Sequence, residues 1–486
     1  MPAGGLQGAV HRTLLLCRTF FNAVTDSANA KTGNYPFTTI DPNRSISYYK
    51  SPCPCADSGR QCTPQNGGHC AQGVRHTPFE LLDVAGLIPG ASGGAGLGNK
   101  FLNDLCGARA LIHVIDASGR TNEKGEVTEG HDPAGDVLWL HQEIQDWIFG
   151  NVHGKWDSMV RRHTARCAHN SGSSVPTVAE SLNSLFSGYG SRESTMATAL
   201  QVARLPQNAD IAAWDETSVR RFVAVFQALR FPTLLFLNKA DAPAGGATDR
   251  NISKLCKKFG SSVCYIGSAA VECFVRKAAK EGLLDYPSPG GAFQLTAAGL
   301  ADAAVAGKVH RAEERLVGRF GGTGVWEVVQ AAVDMTKPVM VFPVTHFGTA
   351  GQGAAASGSS TSAAVTSPAT GADTAPGAVG GVAGGVAAPA SEAAGTGEHG
   401  SKLHFPTVFM LQDGCNVRDV ARYISSEAAA GLTHAEGPDG RSISAFTRLE
   451  HAGGRPVVLR LHISKAKADA WLAENPRAAA AAAVSK

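Results

Sequence analysis

The sequence predicts an α/β protein built on a mostly parallel sheet, with a helical insertion and a separate small α+β module towards the C-terminus. Three observations lead there. Between residues 75 and 120 short apolar runs end in aspartate at glycine turns, first "FELLDVAGLIPG" and then "FLNDLCGARALIHVIDASG". Parallel strands present polar groups at their carboxyl ends in this way, and ligands bind along that edge. From 134 to 230 the period becomes helical, with Val137, Leu140, Ile144, Trp147 and Ile148 on one face. Finally, residues 347–404 are almost wholly Gly, Ala, Ser, Thr, Pro and Val, a composition that cannot build a packed core and reads as a disordered linker.

The elements follow in order. "LLLCRTFFNAVTDSANA" (14–30) reads as a strand running straight into a first helix that turns polar at Thr25, Asp26 and Ser27. After the two Asp-terminated strands, amphipathic stretches recur around 177–186, 194–204 and 217–229. "PTLLFLNKAD" (232–241) returns to a buried strand, and "SVCYIGSAAVE" (262–272) gives another strand with its turn. Helices are expected near 271–282 and 323–334, then a strand at "PVMVFPV" (338–344). Beyond the linker, "FPTVFMLQDG", "NVRDVARYISSEA" and "RPVVLRLHIS" predict a strand, a helix and a strand. The expected organisation is therefore a main unit over 1–130 and 231–346, an insertion over 131–230, the linker 347–404, the module 405–464 and an Ala-rich tail 465–486, frayed or disordered.

A chain of 486 residues is long enough for two or three folded units. With 44 Lys+Arg against 41 Asp+Glu it lacks the charge of a dedicated nucleic-acid coat protein, and nothing points to DNA; a local basic face stays open. No apolar run reaches the roughly 18–20 residues of a membrane helix. Eleven cysteines without a secretory signal pattern fit reduced thiols in a cytoplasmic setting. His11, Arg12 and Arg18 ahead of the first acid faintly resemble an organelle transit peptide, the weaker reading.

Four segments occur in a telling order: "NYPFTTIDPN" (34–43), "DVAGLIPGASGGAGLGNKF" (83–101), "NKAD" (238–241) and "SAAVE" (268–272). Each alone is weak, but ordered and placed at strand ends they closely resemble the Obg/YchF group of GTPases. The resemblance implies a P-loop NTPase-like fold, GTP and Mg2+ as ligands, and association with the ribosome or ribosomal RNA. Residue by residue it implies that Thr39 and Asp83 serve magnesium, Thr39 also sensing the γ-phosphate, and that the Gly86 amide meets that phosphate. Asn238, Lys239 and Asp241 match the base-reading loop. A carboxylate at Asp241 accepts both the N1 and N2 hydrogens of guanine, which adenine does not offer; relatives with Glu here use ATP. Ser268 and Ala269 match the loop that contacts the guanine oxygen. Leu87 stands where many GTPases carry the glutamine that orients water, and Gly93 to Gly98 look like the second switch. The stretch "TVFMLQDGCNVRDVARYI" resembles the ubiquitin-like TGS domain of the same family, where Arg418, Arg422, Arg448 and Arg460 are candidates for phosphate contacts, or simply a solvated basic face.

The resemblance breaks at one place. The family precedes its first helix with Gly-Lys-Ser-Thr-Phe-Phe-Asn-Ala; here Thr19, Phe20, Phe21, Asn22 and Ala23 match the second half, while Leu16, Cys17 and Arg18 stand for Gly, Lys and Ser. The lysine, the magnesium hydroxyl and several phosphate-directed amides are thereby missing. Each such charge-assisted bond is worth roughly 1.5–3 kcal/mol. Losing three predicts at least about a thousandfold weaker nucleotide binding and negligible hydrolysis. The intact Thr39, Asp83, Asn238 and Asp241 favour an altered N-terminal segment over long degeneration; the alternative is a non-catalytic ribosome- or RNA-binding adaptor.

Between Thr39 and Asp83 lies "CPCADSGRQCTPQNGGHC", with Cys53, Cys55, Cys62 and Cys70. Four soft ligands among Pro and Gly turns fit a small structural zinc loop, and four reduced thiols without metal are the other reading. Lone histidines such as His113 and His131 read as structural.

Overall fold

The computed structural model describes residues 12–15, 18–25, 43–58, 62, 64, 68–83, 104–122, 126–169, 175–205, 210–344, 405, 407–451, 453 and 455–475. The expected linker 347–404 lies outside them. The first sheet has seven strands: β1 (Arg12–Leu15), β2 (Asn43–Pro52), β3 (His69–Ala71), β4 (Val74–Asp83), β5 (Ala110–Asp116), β6 (Thr233–Asn238) and β7 (Cys264–Ile266). Their order is β2-β4-β1-β5-β6-β7, with β3 also paired to β4. The pairs from β4 through β7 are parallel, while β2 and β3 run antiparallel to β4. Strand order reverses around β1, so the crevice for a ligand opens at the carboxyl ends beside it.

Helix α1 (Arg18–Val24) follows β1 directly. Its Phe20 is fully buried edge-on against Phe236 of β6, with ring centroids 4.8 Å apart. The insertion between β5 and β6 contains α2 (Pro133–His169), α3 (Val178–Phe186), α4 (Glu193–Val202) and α5 (Glu216–Arg230). They share an aromatic core of Trp147, Phe186, Phe222 and Phe226 that continues to Leu82 and Leu111 of the sheet. Arg230, at the end of α5, donates to the carbonyls of Cys106, Ala108 and Tyr189 and so ties the insertion to the entry of β5.

Helices α6 (Ala247–Phe259) and α7 (Ala269–Lys280) follow β6 and β7, and α8 (Val325–Asp334) packs Val328, Val329, Ala332 and Val333 into the core shared with α1 and β6. The expectation needs correction at "PVMVFPV". This strand, β8 (Val339–Val344), joins β9 (Phe409–Leu411), β10 (Leu432–Glu436), β11 (Ser442–Ser444) and β12 (Val457–Ile463) in a second, five-stranded sheet of order β9-β8-β12-β10-β11. Residues 341–344 of β8 pair in parallel with 457–460 of β12, which satisfies their backbone groups there rather than in the first sheet. The second sheet thus takes one of its interior strands from before residue 347, inside the stretch expected to belong to the main unit. Helix α9 (Val417–Ile424) begins with a capping box between Asn416 and Asp419 and covers this sheet with Val417, Val420 and Ala421. Of the tail, expected as a frayed helix or disordered, Lys465–Glu474 form a helix capped by the Ser464 hydroxyl, and residues 476–486 lie outside the described residues. Among the described residues no helix is long and apolar enough to cross a membrane.

Candidate functional site

Strand register brings the predicted residues to one edge. Asp83 ends β4 level with Leu15 of β1, which in turn lies level with Ile112 of β5. Strands β5 and β6 continue four residues beyond that level, to Asp116 and Asn238, which pair with each other. At about 3.3 Å per residue, the Asn238 end stands about 13 Å further along the strand direction than Asp83. A ligand bridging the two lies obliquely across the carboxyl edge.

At the far end the geometry is tightly specified. Asn238 is buried, and its Oδ1 accepts the Ala269 amide at 3.0 Å, joining the turn after β6 to the start of α7. The Ala240 amide donates to the Gly267 carbonyl at 3.1 Å, and the Ser268 hydroxyl caps α7 by accepting from Val271. Lys239 between them has φ +64°, a left-handed conformation costly for a residue with a side chain and typical of constrained functional turns. Its Nζ donates to Asp116 Oδ2 at 2.8 Å. Burial pushes the Asp116 carboxyl up, but the hydrogen bonds from Lys239, Ser118 and Thr121 and the lysine charge outweigh it, leaving it below the usual carboxylate range. Asp241 lines a cleft of about 210 Å³ together with Ala270, Val271, Phe274, Lys308, Arg311 and Arg315.

Behind this turn lies a network the sequence did not reveal. Glu272 is completely buried and accepts from Thr323 Oγ1 at 2.6 Å, Trp326 Nε1 at 2.8 Å and Tyr286 OH at 3.1 Å. It holds the loop 322–324 against the Ser268 turn, where the Ser268 amide donates to the Thr323 carbonyl at 3.0 Å. The approach is so close that a Cβ on Gly267 would fall on the Thr323 carbonyl oxygen and within 2.8 Å of the Phe236 ring. Gly267→Ala is therefore expected to destabilise the protein by about 2–3 kcal/mol. Gly150→Ala, where no atom approaches within 4 Å, should be neutral or slightly stabilising; paired thermal melts check this. One turn along α7, Arg276 donates to the Ala23 and Thr25 carbonyls and so ties the same turn to the end of α1.

At the near end Asp83 is buried at the tip of β4, where it accepts from Asn43 Nδ2 at 3.0 Å. Thr39, Gly86, Leu87 and Gly93 to Gly98 lie outside the described residues. Only residues 16 and 17 separate β1 from α1. That is fewer residues than a GxxxxGK[ST] phosphate loop contains. The four cysteines converge: their Sγ atoms all lie within 4.8 Å of one another. His113 is buried in β5, and burial pushes its imidazole down to about 3; His131 bonds Asp136 at 2.7 Å.

Two family models match the chain. One, described as "50S ribosome-binding GTPase", covers 19–139, and the other, "Obg-like GTPase YGR210-like, G4 motif-containing domain", covers 236–346. An uncharacterized GTP-binding protein of Schizosaccharomyces pombe is 41% identical over 335 residues, which is 67% of this chain and 78% of that protein. The chain belongs to the Obg/YchF-type GTP-binding proteins. A second relative, an uncharacterized GTP-binding protein of Methanocaldococcus jannaschii, is 35% identical over 330 residues, again 67% of this chain and 78% of its own length. A crystal structure of a GTP binding protein from Pyrococcus horikoshii superposes with a TM-score of 0.60 at 23% identity, covering 93% of this chain and 99% of that one, a likeness of fold. The P-loop NTPase-like fold of the family is thus the fold of the first sheet and its helices.

Proposed function

We propose that this chain is a guanine-reading switch protein that keeps a base site but whose sequence lacks the phosphate loop. One observation carries the reading: the Asn238 side chain accepts the Ala269 amide, with Asp241 among the residues that line the nearby cleft. In this reading Asn238, Lys239, Asp241, Ser268 and Ala269 hold guanine, while Thr39, Asp83 and Gly86 serve magnesium and the γ-phosphate. Bound GTP would supply the charge that pins both switch segments, and its loss would release them. The short β1–α1 junction favours weak nucleotide binding and hence, in this exact chain, an adaptor role beside the switch role.

The ribosome is the proposed partner and the cytoplasm the proposed compartment, on the strength of the family description for 19–139. A basic face on α6, formed by Arg250, Lys254, Lys257 and Lys258, suits RNA phosphates. The second sheet with α9 is proposed as the TGS domain. Of the four arginines named as candidates, Arg422 pairs with Asp419 and Arg460 with Glu436, leaving Arg418 and Arg448 better placed for such contacts.

The test is base selectivity. Ligand-observed NMR should show guanosine binding in preference to adenosine, and Asp241→Ala should erase that preference while leaving the melting temperature within a degree or two. Equal binding of both nucleosides by the unaltered chain overturns the reading.

A further inference from the structure

We propose that Cys53, Cys55, Cys62 and Cys70 form a structural zinc site that locks the β2–β4 hairpin and fastens the second sheet to the first. The site is independent of the nucleotide reading. Its ligands come from a compact knot: Cys53 follows β2, Cys55 opens the one-turn helix Cys55–Ser58, and Cys70 lies in β3. The Cys53 amide donates to the Gly73 carbonyl, and Gly73, at φ +78°, passes so close to Ala56 that a Cβ would come within 2.7 Å of the Ala56 methyl. The distances suit one tetrahedral ion. With Zn–S bonds of about 2.3 Å the sulfurs of a ZnS4 tetrahedron lie about 3.8 Å apart. Here Cys53 and Cys62 are 3.7 Å apart and Cys55 and Cys70 3.5 Å, far beyond a disulfide bond.

A second observation concerns charge. Arg75 is completely buried, and its guanidinium donates to Cys62 Sγ at 3.2 Å and to the Phe405 carbonyl at 3.0 Å. Four thiolates around zinc carry a net charge of about −2, which Arg75 partly neutralises.

The contacts define what the metal does. Phe405 packs edge-on against Phe342 of β8, and Arg75 lies over the Phe342 ring, so the knot and the second sheet share one apolar core. At the other end of the hairpin the same ladder sets Asn43 opposite Asp83. A one-residue slip would turn every side chain of β2 to the wrong face; a metal at the far end fixes the register.

Elemental analysis of the full chain, purified from zinc-supplemented cells, tests this. One equivalent of zinc is expected in the unaltered protein and in a Cys106→Ser control, and loss of it in Cys55→Ser/Cys70→Ser. To separate metal loss from misfolding of that double variant, the unaltered protein is also treated with a chelator. Four thiols should then become reactive, and hydrogen exchange should rise across residues 339–344 but not in α3–α5. Cobalt in place of zinc should give the visible bands of a tetrahedral thiolate site. A metal-free protein with four freely reactive thiols, iron in place of zinc, zinc retained by the double variant, or unchanged exchange over 339–344 each overturns the proposal.

Discussion

Glu272→Ala should lower stability by on the order of 3–5 kcal/mol, the largest loss expected from any single side chain of the candidate site. Truncation leaves the Thr323, Tyr286 and Trp326 donors facing a cavity instead of a carboxylate. The damage spreads outward, because the same carboxylate holds loop 322–324 against the turn that carries Ser268 and Ala269. Glu272→Gln keeps the volume and one acceptor oxygen, and the two hydroxyls can rotate, so it should cost much less. The pair also separates in pH dependence. Burial raises the Glu272 carboxyl above its ordinary value, and the hydrogen bonds from Thr323, Trp326 and Tyr286 only partly offset this. The folded state therefore binds this proton more tightly than the unfolded state. Its contribution is full below the ordinary glutamate pKa and falls as pH rises through the folded value. Glu272→Gln should remove that slope, leaving the carboxylates that are held low, Asp116, Asp132, Asp215 and Asp249, which act with the opposite sign. Chemical denaturation across the acid range measures both.

The second large effect concerns the phosphate end. Replacing residues 16–18 with a Gly-x-x-x-x-Gly-Lys-Ser loop supplies the lysine, the hydroxyl and the amides that the β1–α1 junction lacks. GTP affinity should then rise by at least about a thousandfold, since three charge-assisted bonds are worth roughly 1.5–3 kcal/mol each. Guanosine affinity should stay where it was, because the loop touches only phosphate. Release of phosphate in the presence of ribosomes separates a latent switch from an adaptor: the first gains turnover with the loop, while the second stays inert.

Much of this was legible in the residues, for physical reasons. Asp83 and Asn238 each end a short apolar run, and a buried strand can end in a polar side chain only where the sheet edge opens, so their common edge followed from the pattern. The four cysteines were legible as a group because soft ligands spaced by Pro and Gly can fold back on themselves. Glu272 was not: it was quoted as part of a motif, but its donors lie 14, 51 and 54 residues away and only the fold assembles them. Arg75 was equally silent, since arginine is rarely buried and nothing local distinguishes this one from a surface residue. The run "PVMVFPV" is legible as a strand, but nothing in it tells which sheet it joins. Its apolar pattern suits either, and its partner β12 lies more than a hundred residues away. The short β10 and β11 gave too few alternations to register.

The most direct test of the central claim is the affinity of the unaltered chain for GTP relative to guanosine, by calorimetry or NMR titration in the presence of magnesium. An assembled base site without a phosphate cradle predicts GTP binding weaker than micromolar and within about tenfold of guanosine. Micromolar binding of GTP, a hundredfold or more tighter than guanosine, would show that this chain holds the triphosphate after all and would contradict the account.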